Sequence, residues 1–206
     1  MQSIISKARR TLAKQMRGKI LDAGCGDDLF GPYLRREGNT VISLDVDAEA
    51  LRGVPGTKVV SGCSDMPFPD GYFDAVWACA LIEHVAEDTI PEMIRVTREG
   101  GRIVIVTPNR RSPWDPLKLL TGLSTWRENE GHVRLYSSEE LAWFGEVHGE
   151  VVFLPVQVAR DFFWRHPNVG HTLIADIAVT ARLRQETARA FPATFQRPSA
   201  PFATIC

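Results

Sequence analysis

No long hydrophobic run is present. The chain has 206 residues, 44% of them hydrophobic, and no uninterrupted apolar stretch approaches the roughly 20 residues that a membrane-spanning helix needs. Cysteine is scarce: Cys25, Cys63, Cys79 and Cys206 form no Cys-x-x-Cys pair, which argues against a zinc ribbon or a thioredoxin-type redox motif. Four cysteines in a chain of this length do not make a disulfide scaffold either. An excess of one charge is also missing. The 24 basic and 25 acidic residues leave a net charge of −1, so no global electrostatic case for nucleic acid exists. The 16 glycines and 13 prolines are ordinary for a folded domain and exclude a collagen-like or low-complexity chain. No repeat and no signal-peptide pattern is visible, so a reducing cytoplasm is the expected compartment. One feature points elsewhere. Lys7, Arg9, Arg10, Lys14, Arg17 and Lys19 all precede the first acid, Asp22, a pattern shared with mitochondrial transit peptides. The plainer reading of residues 1–18 is a surface helix with a basic face.

What is present is alternation. Lys19 to Ala23 reads as a short apolar strand ended by Gly24-Cys25-Gly26, and Leu29 to Glu37 as a helix stopped by Gly38. Thr40 to Asp45 is a second strand, Asp47 to Arg52 a short helix, and Thr57 to Val60 a third strand. After a loop rich in Pro, Asp and Gly, Phe73 to Ala78 is a fourth strand. Thr89 to Glu99 then reads as an amphipathic helix, and Arg102 to Val106 as a strand apolar on both faces. Such alternation predicts an α/β fold with a mostly parallel sheet and helices on both faces. Ligands then sit at the carboxyl ends of the strands. Beyond Thr107 the pattern is looser. Residues 107–133 carry Pro108, Pro113 and Pro116, which exclude one long helix. A segment of that length reads as a lid or binding loop, with Trp114 and Trp126 in it. Ser137 to Glu140 carries a capping pattern. Val151 to Val156 and Ile174 to Val179 read as two further strands. The domain is expected over residues 1–183, followed by a proline-bearing tail over 184–206.

Three places just after strands carry chemistry. Gly24 and Gly26 permit a tight turn and close approach of a ligand. A dinucleotide site wants a third glycine where Leu29 stands, and Asp27 and Asp28 would repel a pyrophosphate. A cationic or zwitterionic ligand would tolerate them. Asp45 ends strand two, roughly 20 residues past Gly24, the spacing at which an acid grips vicinal ribose hydroxyls. Asp65 and Met66 follow strand three, where a carboxylate and a neighbouring backbone N–H suit adenine. Together the three places describe a ligand with a ribose, an adenine and no phosphate.

At this point the sequence resembles a known family. Ile20-Leu-Asp-Ala-Gly-Cys-Gly26 and Ser64-Asp-Met-Pro-Phe-Pro-Asp-Gly-Tyr-Phe-Asp-Ala-Val76 resemble the glycine motif and the adenine-loop signature of class I S-adenosylmethionine-dependent methyltransferases. The group is the type 11 one, which includes the ubiquinone- and menaquinone-biosynthesis enzymes. Ile82-Glu-His-Val85, Thr107-Pro-Asn109 and Gly131-His-Val-Arg134 continue the likeness over roughly residues 19–183. The resemblance implies a Rossmann-like, seven-stranded sheet whose last two strands are an antiparallel hairpin, with an insertion near 157–172. It implies S-adenosyl-L-methionine as cofactor. Gly24 and Gly26 would line its methionine part, Asp45 would bind the ribose, and Asp65 and Met66 the adenine. The main chain around Ala78 and Cys79 would meet the ammonium group, and Asp22 would support the glycine loop.

A sulfonium methyl is already activated, so transfer needs mainly alignment and exclusion of water, with a base if the acceptor is a hydroxyl. Candidates for that base are Glu83, His84 and His132. Some relatives hold a divalent metal through Glu-x-x-Glu-His. Here the first of those positions is Ala80, so no metal is expected. The expected acceptor is a small molecule, apolar if the Trp114–Trp126 loop lines its pocket. Two rivals stand beside this reading. One is a non-catalytic cofactor-binding module; the other is a nicotinamide-dependent oxidoreductase, which Leu29 and Asp27–Asp28 disfavour.

Overall fold

The structure, a computed structural model, describes residues 7–85, 89–112, 131–150, 164–170 and 172–190. Seven strands form one sheet: β1 (Lys19–Ala23), β2 (Thr40–Asp45), β3 (Thr57–Val60), β4 (Phe73–Cys79), β5 (Thr97–Pro108), β6 (Glu146–Glu150) and β7 (Thr172–Ala178). Their order across the sheet is β3-β2-β1-β4-β5-β7-β6. β1 to β5 run parallel, with Leu21 beside Ile42 on one flank and Val76 on the other. β7 joins β5 and β6 antiparallel, which makes the expected terminal hairpin.

The two-residue period of the strands divides the core into two layers. Leu21, Ala23, Val76, Ala78, Ile103 and Ile105 face one side, against α3 (Ile90–Val96) and α5 (Ala181–Ala190). Ile20, Ala75, Trp77, Val104 and Val106 face the other, against α1 (Lys7–Gln15) and α2 (Gly31–Leu34). α1 lays Leu12 and Ala13 on that layer, and Arg9 reaches across to Glu150 of β6 at 2.7 Å.

Several elements differ from the sequence reading. The first crossover helix is only Gly31–Leu34, because Pro32 sits at its start and Arg35 leaves helical geometry. Thr97 begins β5 rather than ending a helix, so the predicted helix to Glu99 stops at Val96. The segment near 50 is a 3-10 turn, Ala50–Gly53. β6 is Glu146–Glu150; the strand expected at 151–156 lies outside the described residues. Ser137 caps α4 (Ser138–Ala142) with a full capping box to Glu140, the pattern the sequence signalled. α5 crosses the expected domain boundary at 183. It buries Leu183 and Thr187, and Arg184 donates to the carbonyls of Thr97 and Arg95, so the described fold runs through Ala190.

One buried ion pair fixes the loop between β3 and β4. Arg95 on α3 is 5% exposed and Glu92, one turn before it, 1%. The guanidinium donates to both Glu92 oxygens (2.6 and 2.9 Å), to the carbonyls of Met66 and Phe68 (3.0 and 2.8 Å) and to Asp70 (2.8 Å). Glu92 Oε1 in turn accepts from Met66 N at 2.8 Å. Removing one partner of such a pair strands the other charge in the core at a cost of about 3–5 kcal/mol. Glu92→Ala is therefore expected to lower the melting temperature by about 10 °C. Arg102→Ala, which breaks a more exposed pair with Asp176, should cost about 1 kcal/mol or less. Thermal melts of the two variants check this, and equal shifts would contradict it.

Candidate functional site

β1 lies between β2 and β4, where the strand order changes direction, so a crevice forms at the carboxyl ends of these strands. Gly24 and Gly26 open it, with φ of +64° and +51°. The loop is pinned from β2: Gly24 N and Cys25 N donate to the Leu44 carbonyl (2.8 and 3.1 Å), and Gly26 N donates to Asp45 Oδ2 (2.8 Å). Gly24 is required on two counts, its positive φ and the Leu81 side chain, whose Cδ1 would stand 2.6 Å from an added Cβ. The turn after β4 thus packs on the glycine loop. Ala80 in that turn also has a positive φ, +54°, a strained geometry of the kind that collects at functional sites.

Acids dominate this edge. Asp22, in β1, is 3% exposed, and its Oδ2 has no hydrogen-bond partner among the described residues. Burial, with added repulsion from Asp28, pushes its carboxyl up to about 7. Asp28 also adopts a positive φ and pairs with Arg35, which neutralises one of the acids. Asp45 Oδ1 accepts from Asp47 N at 2.9 Å. Burial first, then the neighbouring Asp22, pushes the Cys25 thiol up to about 12. An anion would be repelled here, whereas a cationic group would relieve the buried, unpartnered Asp22 oxygen.

The remaining expected residues divide. The β1–β4 ladder ends at Ala23 and Ala78, while β4 stays paired with β5 through Cys79 and Val106. The main chain at Cys79 therefore passes beyond β1, on the glycine-loop side. Asp65 is exposed, and the Met66 N–H is committed to Glu92, so it does not point to a ring nitrogen. The group that the structure does bring to Asp45 is Cys63, 6% exposed, which bonds the Gly24 backbone and whose thiol burial pushes up to about 12. Its place three residues past β3 was the available signal. Glu92 and Arg95 were also missed, because an i,i+3 pair of opposite charges reads as a solvated helix face.

On the far side of the crevice the structure gathers all three candidate bases. Glu83 is buried, and its Oε2 accepts from Thr107 Oγ1 at 3.0 Å. Burial raises its carboxyl above the ordinary range, against opposing hydrogen bonds and the two histidines. The rings of His84 and His132 lie edge to face, 4.8 Å apart. Two residues on, Arg134 lies over the Tyr136 ring and helps line a cavity of about 350 Å³ with Ile90, Trp143, Phe144 and Ala190. Trp114, Trp126, Phe162 and Phe163 fall outside the described residues. Trp164 stacks on His148 at 4.1 Å.

Comparison with known proteins agrees with this geometry. Residues 21–105 match the family model described as a methyltransferase domain. The chain is 29% identical over 133 residues to a malonyl-[acyl-carrier protein] O-methyltransferase of Erwinia billingiae, covering 58% of this chain and 53% of that protein. It is 35% identical over 114 residues to a demethylmenaquinone methyltransferase of Beutenbergia cavernae, covering 50% and 46%. The chain thus spans about half the length of these curated relatives. A solved S-adenosylmethionine-dependent methyltransferase from Archaeoglobus fulgidus shares the fold, with a TM-score of 0.55, 19% identity, and coverage of 82% of this chain and 91% of that one.

The raised carboxyl of Asp22 has a consequence for stability. Between pH 4 and pH 7 the folded chain holds a proton that the unfolded chain has lost, so stability falls as pH rises through that window. The span is on the order of 4 kcal/mol. Asp22→Asn is expected to flatten this fall, measured by urea unfolding at pH 4.5 and pH 7.5. An unchanged slope would contradict the assignment.

Proposed function

We propose that this chain, which belongs to the class I S-adenosylmethionine-dependent methyltransferases of the type 11 group, transfers a methyl group to a small-molecule acceptor. The observation that carries the reading is the acid-lined glycine loop at the switch of strand order, with the unpartnered Asp22 oxygen inside it. It fits a cofactor that bears a sulfonium and an ammonium and no phosphate. Gly24 and Gly26 would line the methionine part, and the main chain at Ala78 and Cys79 would meet the ammonium group. Asp45 retains lone pairs for the ribose hydroxyls beside its bond to Gly26. Adenine would lie between Asp65 and the buried Cys63.

Bound there, S-adenosylmethionine supplies a methyl group already activated for in-line displacement. The chain's own task is to hold the acceptor in line and keep water out. Glu83 or His132 would take a proton from an acceptor hydroxyl; burial, which raises the Glu83 carboxyl above its ordinary range, supports Glu83 in that role. Two of the relatives are named for malonyl-[acyl-carrier protein] and demethylmenaquinone. The cavity beside Arg134 is lined by Ile90, Tyr136, Trp143 and Phe144, which favours an apolar acceptor with a polar reacting end.

The test is transfer of a labelled methyl from S-adenosylmethionine into a pool of small-molecule extracts. Incorporation is expected with the unaltered chain, falling about tenfold to a hundredfold with Asp45→Ala, the loss of a charge-assisted hydrogen bond. No incorporation into any pool, despite firm cofactor binding, would favour a non-catalytic binding module.

A further inference from the structure

We propose that Glu83, His84 and His132 form a binding site for one divalent transition-metal ion of the zinc class. Each offers one ligand atom, and the three atoms lie within 4.8 Å of one another. No metal is expected from sequence, because the Glu-x-x-Glu-His pattern is broken at Ala80. The third donor comes instead from His132, which the fold brings back to the turn after β4.

The juxtaposition is built by the backbone. Val133 N and Arg134 N both donate to the Glu83 carbonyl, at 2.9 and 3.2 Å, which clamps the His132 segment onto Glu83. His84 N donates to the Leu81 carbonyl at 3.0 Å and closes the turn that presents the ring. The second layer is in place as well. His84 Nδ1 lies 3.0 Å from the Gly131 carbonyl oxygen. A carbonyl can only accept, so Nδ1 carries the hydrogen and Nε2 keeps the lone pair that a metal needs. Thr107 Oγ1 orients the Glu83 carboxylate from behind.

Two imidazole nitrogens and one carboxylate oxygen suit zinc or a similar transition metal better than magnesium or calcium, which prefer all-oxygen sets. Around a tetrahedral ion with bonds of about 2.0–2.2 Å, ligand atoms stand roughly 3.3–3.5 Å apart. The three groups therefore close inward by about 1 Å on binding, and the exposed His84 ring has the space to turn. Three protein ligands leave a coordination position open, the arrangement of a reactive rather than a structural zinc site. The three residues gather just past the carboxyl end of β4, beside Thr107 near the end of β5. Ion and proton compete for the same lone pairs, so with the ion bound neither Glu83 nor His132 serves as the base.

The test uses the full chain, stripped with a chelator, dialysed and titrated with zinc chloride by calorimetry, then with cobalt(II) followed by visible absorption. One ion per chain is expected, with a Kd on the order of 1 µM or tighter and a ligand-field band for cobalt. His84→Ala and His132→Ala should each weaken binding at least tenfold and abolish the band, while His166→Ala should leave both unchanged. Far-ultraviolet circular dichroism monitors the fold of each variant. If a histidine variant unfolds, the unaltered chain decides: a cobalt band supports the site and its absence overturns it. No saturable uptake, or equal affinity in the folded histidine variants, would overturn the site too. None of these readouts depends on methyl transfer.

Discussion

The buried pairing of Arg95 with Glu92 is the contact on which the arrangement of this protein rests. One guanidinium gathers the carbonyls of Met66 and Phe68, the Asp70 carboxylate and both oxygens of Glu92. The Arg95 carbonyl also accepts from Gly71 N, and Arg184 brings α5 to the same place. A loop rich in proline and glycine, lacking strand or helix bonds of its own, is thereby fixed between β3 and β4. Such a pair adds little net stability over a well-packed apolar substitute, yet it is costly to break. Its effect is to hold the loop in one conformation where it leads into β4.

On that frame, charge decides what the crevice can hold. The glycine loop resembles a phosphate cradle in outline, but its α2 helix has only four residues and its neighbours are acids. Asp22 Oδ2 is held buried without a hydrogen-bond partner among the described residues, and Asp45 is spent in part on holding Gly26 in place. A site that keeps an unpaired carboxyl inside it stores an unfavourable energy that a cation can release. The cost in stability and the preference in binding come from the same atom.

Much of this was legible in the residues. β1 and β2 are visible as short aliphatic runs ended by Gly24 and Asp45, and Ile103 to Val106 as an unbroken apolar run because that stretch of β5 is buried on both faces. Ser137 and Glu140 announced their helix through chemistry local to four residues. Local reading failed where partners are distant in sequence. Glu92 and Arg95, three residues apart on one helix, carry no local mark of burial; the loop that returns over them buries them. A backbone N–H beside Asp65 suits a ring nitrogen in sequence, but that of Met66 is taken by Glu92, 26 residues away. Glu83, His84 and His132 were each named as candidates, but their meeting depends on a backbone clamp between Glu83 and residues 133 and 134 that no spacing encodes.

This crevice suits a phosphate-free adenosyl amino acid rather than a dinucleotide. Calorimetric titration of the chain with S-adenosylhomocysteine and, separately, with NADH tests it most directly. Saturable one-to-one binding of the first is expected, with Kd on the order of micromolar, and no heat from the second. Binding of NADH, or of neither ligand, would contradict it.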